Sequence, residues 1–133
     1  MGKNRKTKGW KAFAELALTV DESHLWMKGI NDFFRAHIGF HPQRVLELGC
    51  TTGRWLRWFL EEYGSDVYGV DLEKTGLEKM GIGNPVLGDA SRLPFKSDSF
   101  DVVYSIGLIE HFTNPRPVLS EAMRVLKSNR RLS

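Results

Sequence analysis

The chain has 133 residues, 41% of them hydrophobic and 26% charged, with a formal net charge of +3 and one cysteine. That is the composition of an ordinary globular domain, large enough to bury one core. It excludes a disulfide framework, and the longest apolar run, Val102–Ile109, is too short to cross a bilayer, so a cytoplasmic protein is expected.

The basic excess belongs to one end. Lys3, Arg5, Lys6, Lys8 and Lys11 carry five of the 19 basic side chains, leaving 14 against 16 acids in the rest of the chain. Residues 1–8 read as a disordered basic tail and residues 9–133 as a single domain. No aromatic stacking pattern accompanies the tail, so nucleic-acid binding is not expected.

Trp10–Leu18 has apolar residues at helical spacing and predicts a short amphipathic helix. Thr19-Val20-Asp21-Glu22 has the form of a capping box. A second helix follows, with Leu25, Trp26, Ile30, Phe33, Phe34 and Ile38 as its apolar stripe. Gly39 ends it and Pro42 prevents its resumption. Aromatics at this spacing are read as core rather than as a substrate pocket. His37 and His41 lie four apart, but the intervening helix break leaves no basis for a metal site.

From Arg44 the expected order is strand, helix, strand, helix, strand, strand, helix, the alternation of a parallel α/β sheet with helices on both faces. Val45–Gly53, Val-Leu-Glu-Leu-Gly-Cys-Thr-Thr-Gly, is a strand running into a glycine turn, and a helical pattern starts at Arg54. Such a turn brings backbone N–H groups and a helix N-terminus against a ligand. Asp66–Val70 reads as a second strand, ended by Asp71. An acid at that tip, about 20 residues beyond the turn, can accept both hydroxyls of a ribose; the competing assignment is a cap for the helix Glu73–Met80. Pro85–Leu87 reads as a third strand, followed by Asp89, whose carboxylate can accept the amine of an adenine. Phe100–Ser105 is the fourth strand. The last helix opens at Asn114-Pro115 and carries Val118, Leu119, Ala122, Met123 and Leu126 on one face.

Glu47-Leu48-Gly49-Cys50-Thr51-Thr52-Gly53, Val70-Asp71, Gly88-Asp89-Ala90-Ser91-Arg92-Leu93-Pro94-Phe95, Ser99-Phe100-Asp101-Val102-Val103 and Glu110-His111-Phe112 together resemble class I S-adenosylmethionine-dependent methyltransferases, nearest to the small-molecule branch of quinone biosynthesis. The resemblance runs from about Arg44 to about Lys127. It implies a Rossmann-like sheet of about four strands, incomplete relative to the family, flanked by helices and preceded by N-terminal helices. It implies S-adenosylmethionine as cofactor and a small-molecule methyl acceptor. Gly49 and Gly53 would shape the loop under the methionine part, Glu47 would support its amino group, and Cys50 lies within the same loop. Asp71 would hold the ribose, Leu72 would pack on the adenine, and Asp89 and the Ala90 backbone would read its edge. Ser105 and Ile106 would line the cofactor near the sulfonium. His111 is the candidate general base, its ordinary pKa near 6.5 suiting that task; ordering the loop by hydrogen bonding is the alternative. The Cys50 thiol reads as small buried filler, not a nucleophile.

Two departures from the family pattern carry expectations of their own. Thr51 replaces the middle glycine, so either the loop holds it at negative φ or a β-branched residue is strained there. The strands that usually follow the last helix are missing, which leaves the fourth strand at or near an edge and predicts self-association through it, unless Arg130–Ser133 folds back alongside. Both departures favour the alternative function, a catalytically silent S-adenosylmethionine-binding module or a shortened relative working in a larger assembly. A nicotinamide-dependent oxidoreductase fails on spacing, since its motif would place glycines where Thr51 and Arg54 stand.

Overall fold

The computed structural model describes residues 13–16 and 24–127. Its elements are β1 (Phe13–Leu16), α1 (His24–His37), β2 (Arg44–Leu48), α2 (Arg54–Tyr63), β3 (Asp66–Asp71), α3 (Lys74–Glu78), β4 (Asn84–Leu87), β5 (Val102–Ile106), a 3-10 turn (Ile109–His111) and α4 (Arg116–Val125). The five strands form one parallel sheet in the order β1-β5-β2-β3-β4. This is the expected Rossmann-like architecture.

β2 sits in the centre because its Val45, Leu46 and Leu48 are buried on both faces, as parallel strands between helices require. Val45 pairs with Val67 of β3 on one side and with Val102 of β5 on the other. The chain moves outward from β2 through β3 to β4, then returns to the opposite side of β2 as β5. That reversal opens a crevice at the carboxyl ends of β2 and β5, where open α/β sheets bind ligands.

The helices cover the sheet through apolar stripes that match the sequence reading in part: in α4 Val118 and Ala122 are buried as read, but Met123 is exposed and Val125 is buried in its place. α1 buries Ile30 and Phe34, with Ile38 just beyond its end, α2 buries Trp55, Leu56 and Phe59, and α4 buries Val118, Ala122 and Val125. Phe34 lies 4.8 Å from Phe59 and 4.9 Å from Tyr104, ring centre to ring centre, so α1, α2 and β5 share one aromatic cluster. Gly64 closes α2 in the left-handed region and donates its N–H to the Leu60 carbonyl. The Asn114 side chain accepts the Arg116 N–H at 3.2 Å in the turn that leads into α4, where Pro115 rather than Asn114 takes the cap position.

Asp101, at the start of β5, ties three segments together. Its buried carboxylate accepts the N–H groups of Gln43 (2.7 Å) and Arg44 (3.0 Å) and lies 3.2 Å from the Lys127 ammonium. Burial opposes its ionisation, but those two N–H groups and Lys127 win and hold its pKa below the usual value.

Three expectations are corrected. Within the predicted helix Trp10–Leu18, residues Phe13–Leu16 form strand β1, because pairing along β5 satisfies their backbone groups and outweighs a weak local periodicity. In consequence β5 is not an edge. β1 lies along it from Val103 to Ile106, so the self-association expected through a free β5 edge has no free strand there. The predicted helix Glu73–Met80 is reduced to Lys74–Glu78. The expected basic tail, the capping box at Thr19–Glu22 and the fold-back of Arg130–Ser133 lie outside the described residues.

Candidate functional site

The turn after β2 is built on three residues in the left-handed region, Gly49 (φ 74°), Thr51 (φ 49°) and Gly53 (φ 80°). Glycine adopts this without steric penalty, and at Gly53 it also makes room: a β-carbon there would stand 2.7 Å from Met80 Cγ. Thr51 takes the strained of its two expected options. A β-branched residue at positive φ costs on the order of 1–3 kcal/mol, and the surroundings hold it there. Its N–H donates to Asp71 Oδ2 at 2.8 Å and its hydroxyl to the Cys50 carbonyl at 2.7 Å. Gly76 of α3 packs so closely that a β-carbon would stand 3.0 Å from the Thr51 carbonyl.

Asp71 closes β3 opposite this turn. Its Oδ1 accepts the Glu73 N–H at 2.8 Å while Oδ2 accepts that of Thr51. Each oxygen keeps a lone pair for a further donor, and the carboxylate plane is fixed by two rigid backbone groups. Both readings of this residue are therefore compatible: it braces the start of α3 and still presents acceptors to the crevice.

A cleft of about 510 Å³ opens at this place. Gly49, Thr51, Val70, Asp71 and Leu72 line one side; Gly88, Asp89, Ala90 and Ser91 line another; Ile106, Gly107, Leu108 and Phe112 line the third. Asp89 accepts the N–H and the hydroxyl of Ser91 at 2.9 and 2.8 Å, and these bonds, with the nearby Arg92, lower its pKa. Leu72 is 70% exposed at the rim, an apolar surface left bare beside two carboxylates.

Of the residues singled out from the sequence, Gly49, Asp71, Leu72, Asp89, Ala90 and Ile106 are brought together on the cleft wall. Gly53 shapes the turn from behind. Glu47, Cys50 and Ser105 are buried beneath it. The Cys50 thiol packs against Gly69 and Met80, and burial, with Glu47 and Asp71 nearby, pushes its pKa up to about 12, so it is a neutral filler. Glu47 accepts the Tyr104 hydroxyl at 3.0 Å, both groups fully buried. Burial drives the Glu47 carboxyl well above its usual pKa, more than the Tyr104 bond lowers it, and the charge of Asp71 adds to the rise. Glu47 is thus a buried buttress under the turn, its carboxyl harder to ionise than usual, with no face on the cleft. His111 is exposed on the 3-10 turn and is not among the cleft-lining residues, so its placement gives no support to a general base.

Sequence reading missed Ser91, Gly107, Leu108 and Phe112. Ser91 was signalled by Asp-Ala-Ser, the spacing of an Asx turn. Gly107, φ 75°, marks the exit from β5 and lets Leu108 fold over Gly49, where a β-carbon would meet Leu108 Cδ1 at 3.2 Å.

These features fit S-adenosylmethionine. The glycine turn leaves no side chain at the position facing Leu108, Asp71 offers acceptors held in one plane, Asp89 offers another, and the wall between is apolar.

The model of the methyltransferase domain family Methyltransf_11 matches residues 46–133. An uncharacterized protein of Methanocaldococcus jannaschii is 32% identical over 108 residues, 80% of this chain and 50% of that protein. The ubiquinone/menaquinone biosynthesis C-methyltransferase UbiE of a Ruegeria species is 52% identical over 48 residues, 35% of this chain and 19% of the enzyme. The chain thus spans half or less of the length of these relatives. Among solved structures, a Pyrococcus horikoshii protein superposes with a TM-score of 0.67 at 29% identity, covering 80% of this chain and 55% of that one. Geranyl diphosphate methyltransferase, solved in complex with GPP and sinefungin, shares the fold at a TM-score of 0.68 and 18% identity, over 78% of this chain and 43% of that one. No helix among the described residues is long and apolar enough to cross a membrane. With its glycine turn, its two carboxylates and a family match over most of its length, the chain belongs to the class I S-adenosylmethionine-dependent methyltransferase family.

Proposed function

We propose that this domain binds S-adenosylmethionine in the cleft between the Gly49–Gly53 turn and Asp89 and transfers its methyl group to a small molecule. The observation that carries this reading is Asp71, locked by the Thr51 and Glu73 N–H groups with its remaining lone pairs available at the sheet's switch point. In this reading Asp71 accepts the ribose hydroxyls, Leu72 covers the adenine face, and Asp89 with the Ala90 backbone reads its amine edge. The Gly49–Gly53 backbone lies along the methionine part, with Glu47 and Cys50 supporting the turn from below and Ser105 supporting the adjacent end of β5.

When bound, the cofactor supplies a methyl group made electrophilic by its attachment to a sulfonium sulfur. The chain's own part is to align and to exclude water. Ile106, Leu108 and Phe112 form an apolar end to the cleft, suited to hold an uncharged acceptor. The reading gives His111 no proton to carry. The partial likeness to UbiE makes a hydroquinone-type ring the first acceptor to try. One buried cysteine and no other thiol suit a reducing cytoplasm.

One observation favours a second reading, a binding module without turnover: Thr51 occupies the left-handed position in the turn, and its side chain stands at the cleft wall. Calorimetric titration with S-adenosylhomocysteine tests what the two readings share, and one saturable site is expected. Absence of binding at millimolar ligand sinks both. Transfer of labelled methyl from S-adenosylmethionine to a hydroquinone then separates the enzyme from the silent module.

A further inference from the structure

The wall of the cleft that carries Asp89, Ala90 and Ser91 belongs to no helix or strand; it lies in the connection between β4 and β5. Gly88 donates its N–H to the Asp71 carbonyl at 3.0 Å. Beyond it the hydrogen bonds turn inward, with the N–H groups of Ser91 and Arg92 both donated to Asp89. Bonds of this kind fix the shape of the loop tip but not its distance from the sheet. Of residues 89–92 Ala90 alone is buried, and its methyl group is a small anchor.

The distance is set at Leu93. Its side chain is buried, and both of its backbone groups end on two side chains of α4. The Leu93 N–H donates to Glu121 Oε1 at 2.8 Å, and the Leu93 carbonyl accepts from Arg124 Nη2 at 3.1 Å. Arg124 and Glu121 also grip each other, Nε donating to Oε2 at 2.8 Å and Nη2 to Oε1 at 3.0 Å. This two-pronged pairing fixes direction as well as distance. Arg124 Nη1 reaches Ser97 Oγ at 3.3 Å, further along the same connection. The hydrogen bonds from Arg124 hold the Glu121 carboxyl below its usual pKa, so the pair is charged at neutral pH. Pro94 stands against Gly88, where a β-carbon would lie 3.8 Å from its Cδ. The loop is thus closed between these two points, and its tip follows Leu93.

Neither Glu121 nor Arg124 lines the cleft. Their side chains are 20% and 35% exposed, and a pair near the surface contributes little to stability through its charges alone. What distinguishes this pair is where it ends, on the backbone of a residue four positions after Asp89. Its base is firm, since Val118, Ala122 and Val125 pin α4 to the sheet. A polar group recognises its partner only while neighbouring bonds hold it in place. We propose that Glu121 and Arg124 are positioning residues for cofactor recognition: from outside the cleft they hold the Asp89–Ser91 wall where it meets the adenine amine, a role that rests on Asp89 and Ala90 reading the adenine edge.

Calorimetric titration of the full chain with S-adenosylhomocysteine and with S-inosylhomocysteine, in which a carbonyl oxygen replaces the adenine amine, tests this wall. The native chain should favour the adenine form by about tenfold or more, because a carbonyl facing Asp89 has no proton to donate. Arg124→Met keeps the aliphatic stem and removes the bonds to Leu93, Ser97 and Glu121. Well below its Tm it should bind S-adenosylhomocysteine about tenfold more weakly and S-inosylhomocysteine within about twofold of native, so that the ratio falls toward one. Glu121→Gln keeps an oxygen for the Leu93 N–H but loses the charge that orients Arg124, and its ratio should lie between. A merely structural pair would lower Tm and weaken both ligands alike. A native ratio in Arg124→Met, or in Glu121→Gln should the methionine variant not fold, overturns the inference and leaves the cofactor site standing. A native chain that binds neither ligand, or both equally, removes instead the adenine-reading assignment, and the positioning role with it.

Discussion

Asp71→Asn separates the two tasks that the geometry gives to one side chain. In the native chain each carboxylate oxygen accepts one backbone N–H at 2.8 Å, from Glu73 and from Thr51. An asparagine has one oxygen and one NH2 group, so whichever way its amide turns, one of those N–H groups faces a donor. A hydrogen bond to a charged acceptor contributes about 1.5–3 kcal/mol, and Asp71 is only partly buried, so water recovers some of the loss. About 1–2 kcal/mol of stability should disappear, which for a domain of this size lowers Tm by about 4–8 °C. The ribose hydroxyls lose a charged acceptor at the same time, and S-adenosylhomocysteine should bind about 5- to 30-fold more weakly, the equivalent of another 1–2 kcal/mol. Thermal unfolding of the free chain reads the first effect and calorimetric titration well below Tm reads the second. A variant with native Tm would refute the bracing geometry. A lowered Tm with native affinity would leave Asp71 as a loop brace only and remove it from the cofactor site.

Thr51→Gly should stabilise the chain by up to about 1 kcal/mol, the relief of a β-branched residue at positive φ less the entropy of a glycine and one hydroxyl hydrogen bond. A fall in Tm would show that the turn holds threonine without strain. Glu47 has a folded pKa raised by burial, so its contribution is complete below the ordinary value of about 4.5 and is lost as pH rises toward the folded value. Glu47→Gln, which mimics the protonated form beneath the turn, should therefore gain on the native chain in denaturant midpoints as pH rises above the ordinary value of 4.5; a difference that stays constant as pH rises from there would contradict the assignment. Asp101 has the opposite sign: its lowered pKa means stability present above the ordinary carboxylate value of 3.8 and lost as pH falls through the folded one. Asp101→Ala should cost about 2–4 kcal/mol at neutral pH, because the Gln43 and Arg44 N–H groups lose their acceptor and Lys127 its counter-charge; a loss under about 0.5 kcal/mol in urea unfolding would show that water replaces it.

What lies close together along the chain was readable from the sequence. The Val45–Leu48 strand, the glycine turn and the start of α2 are encoded in ten consecutive residues, since strand propensity, backbone freedom at glycine and a 3.6-residue stripe are local properties. That Asp71 and Asp89 would meet at one cleft was readable because parallel βαβ units bring strand tips to one end of the sheet whatever the side chains between them. Contacts between distant segments were left to the tertiary structure. Phe13–Leu16 is apolar enough for either a helix or a strand, and pairing with Val103–Ile106, some 90 residues away, decides it. Nothing in Val-Leu-Glu-Leu shows that Glu47 turns inward onto Tyr104, 57 residues on, where burial raises its pKa. Whether Thr51 takes positive or negative φ depends on Asp71 and Gly76 closing around its backbone. Local free energies set the elements from Arg44 onward; strand β1, the burial of Glu47 and the walls of the cleft follow from packing between parts that the sequence holds far apart.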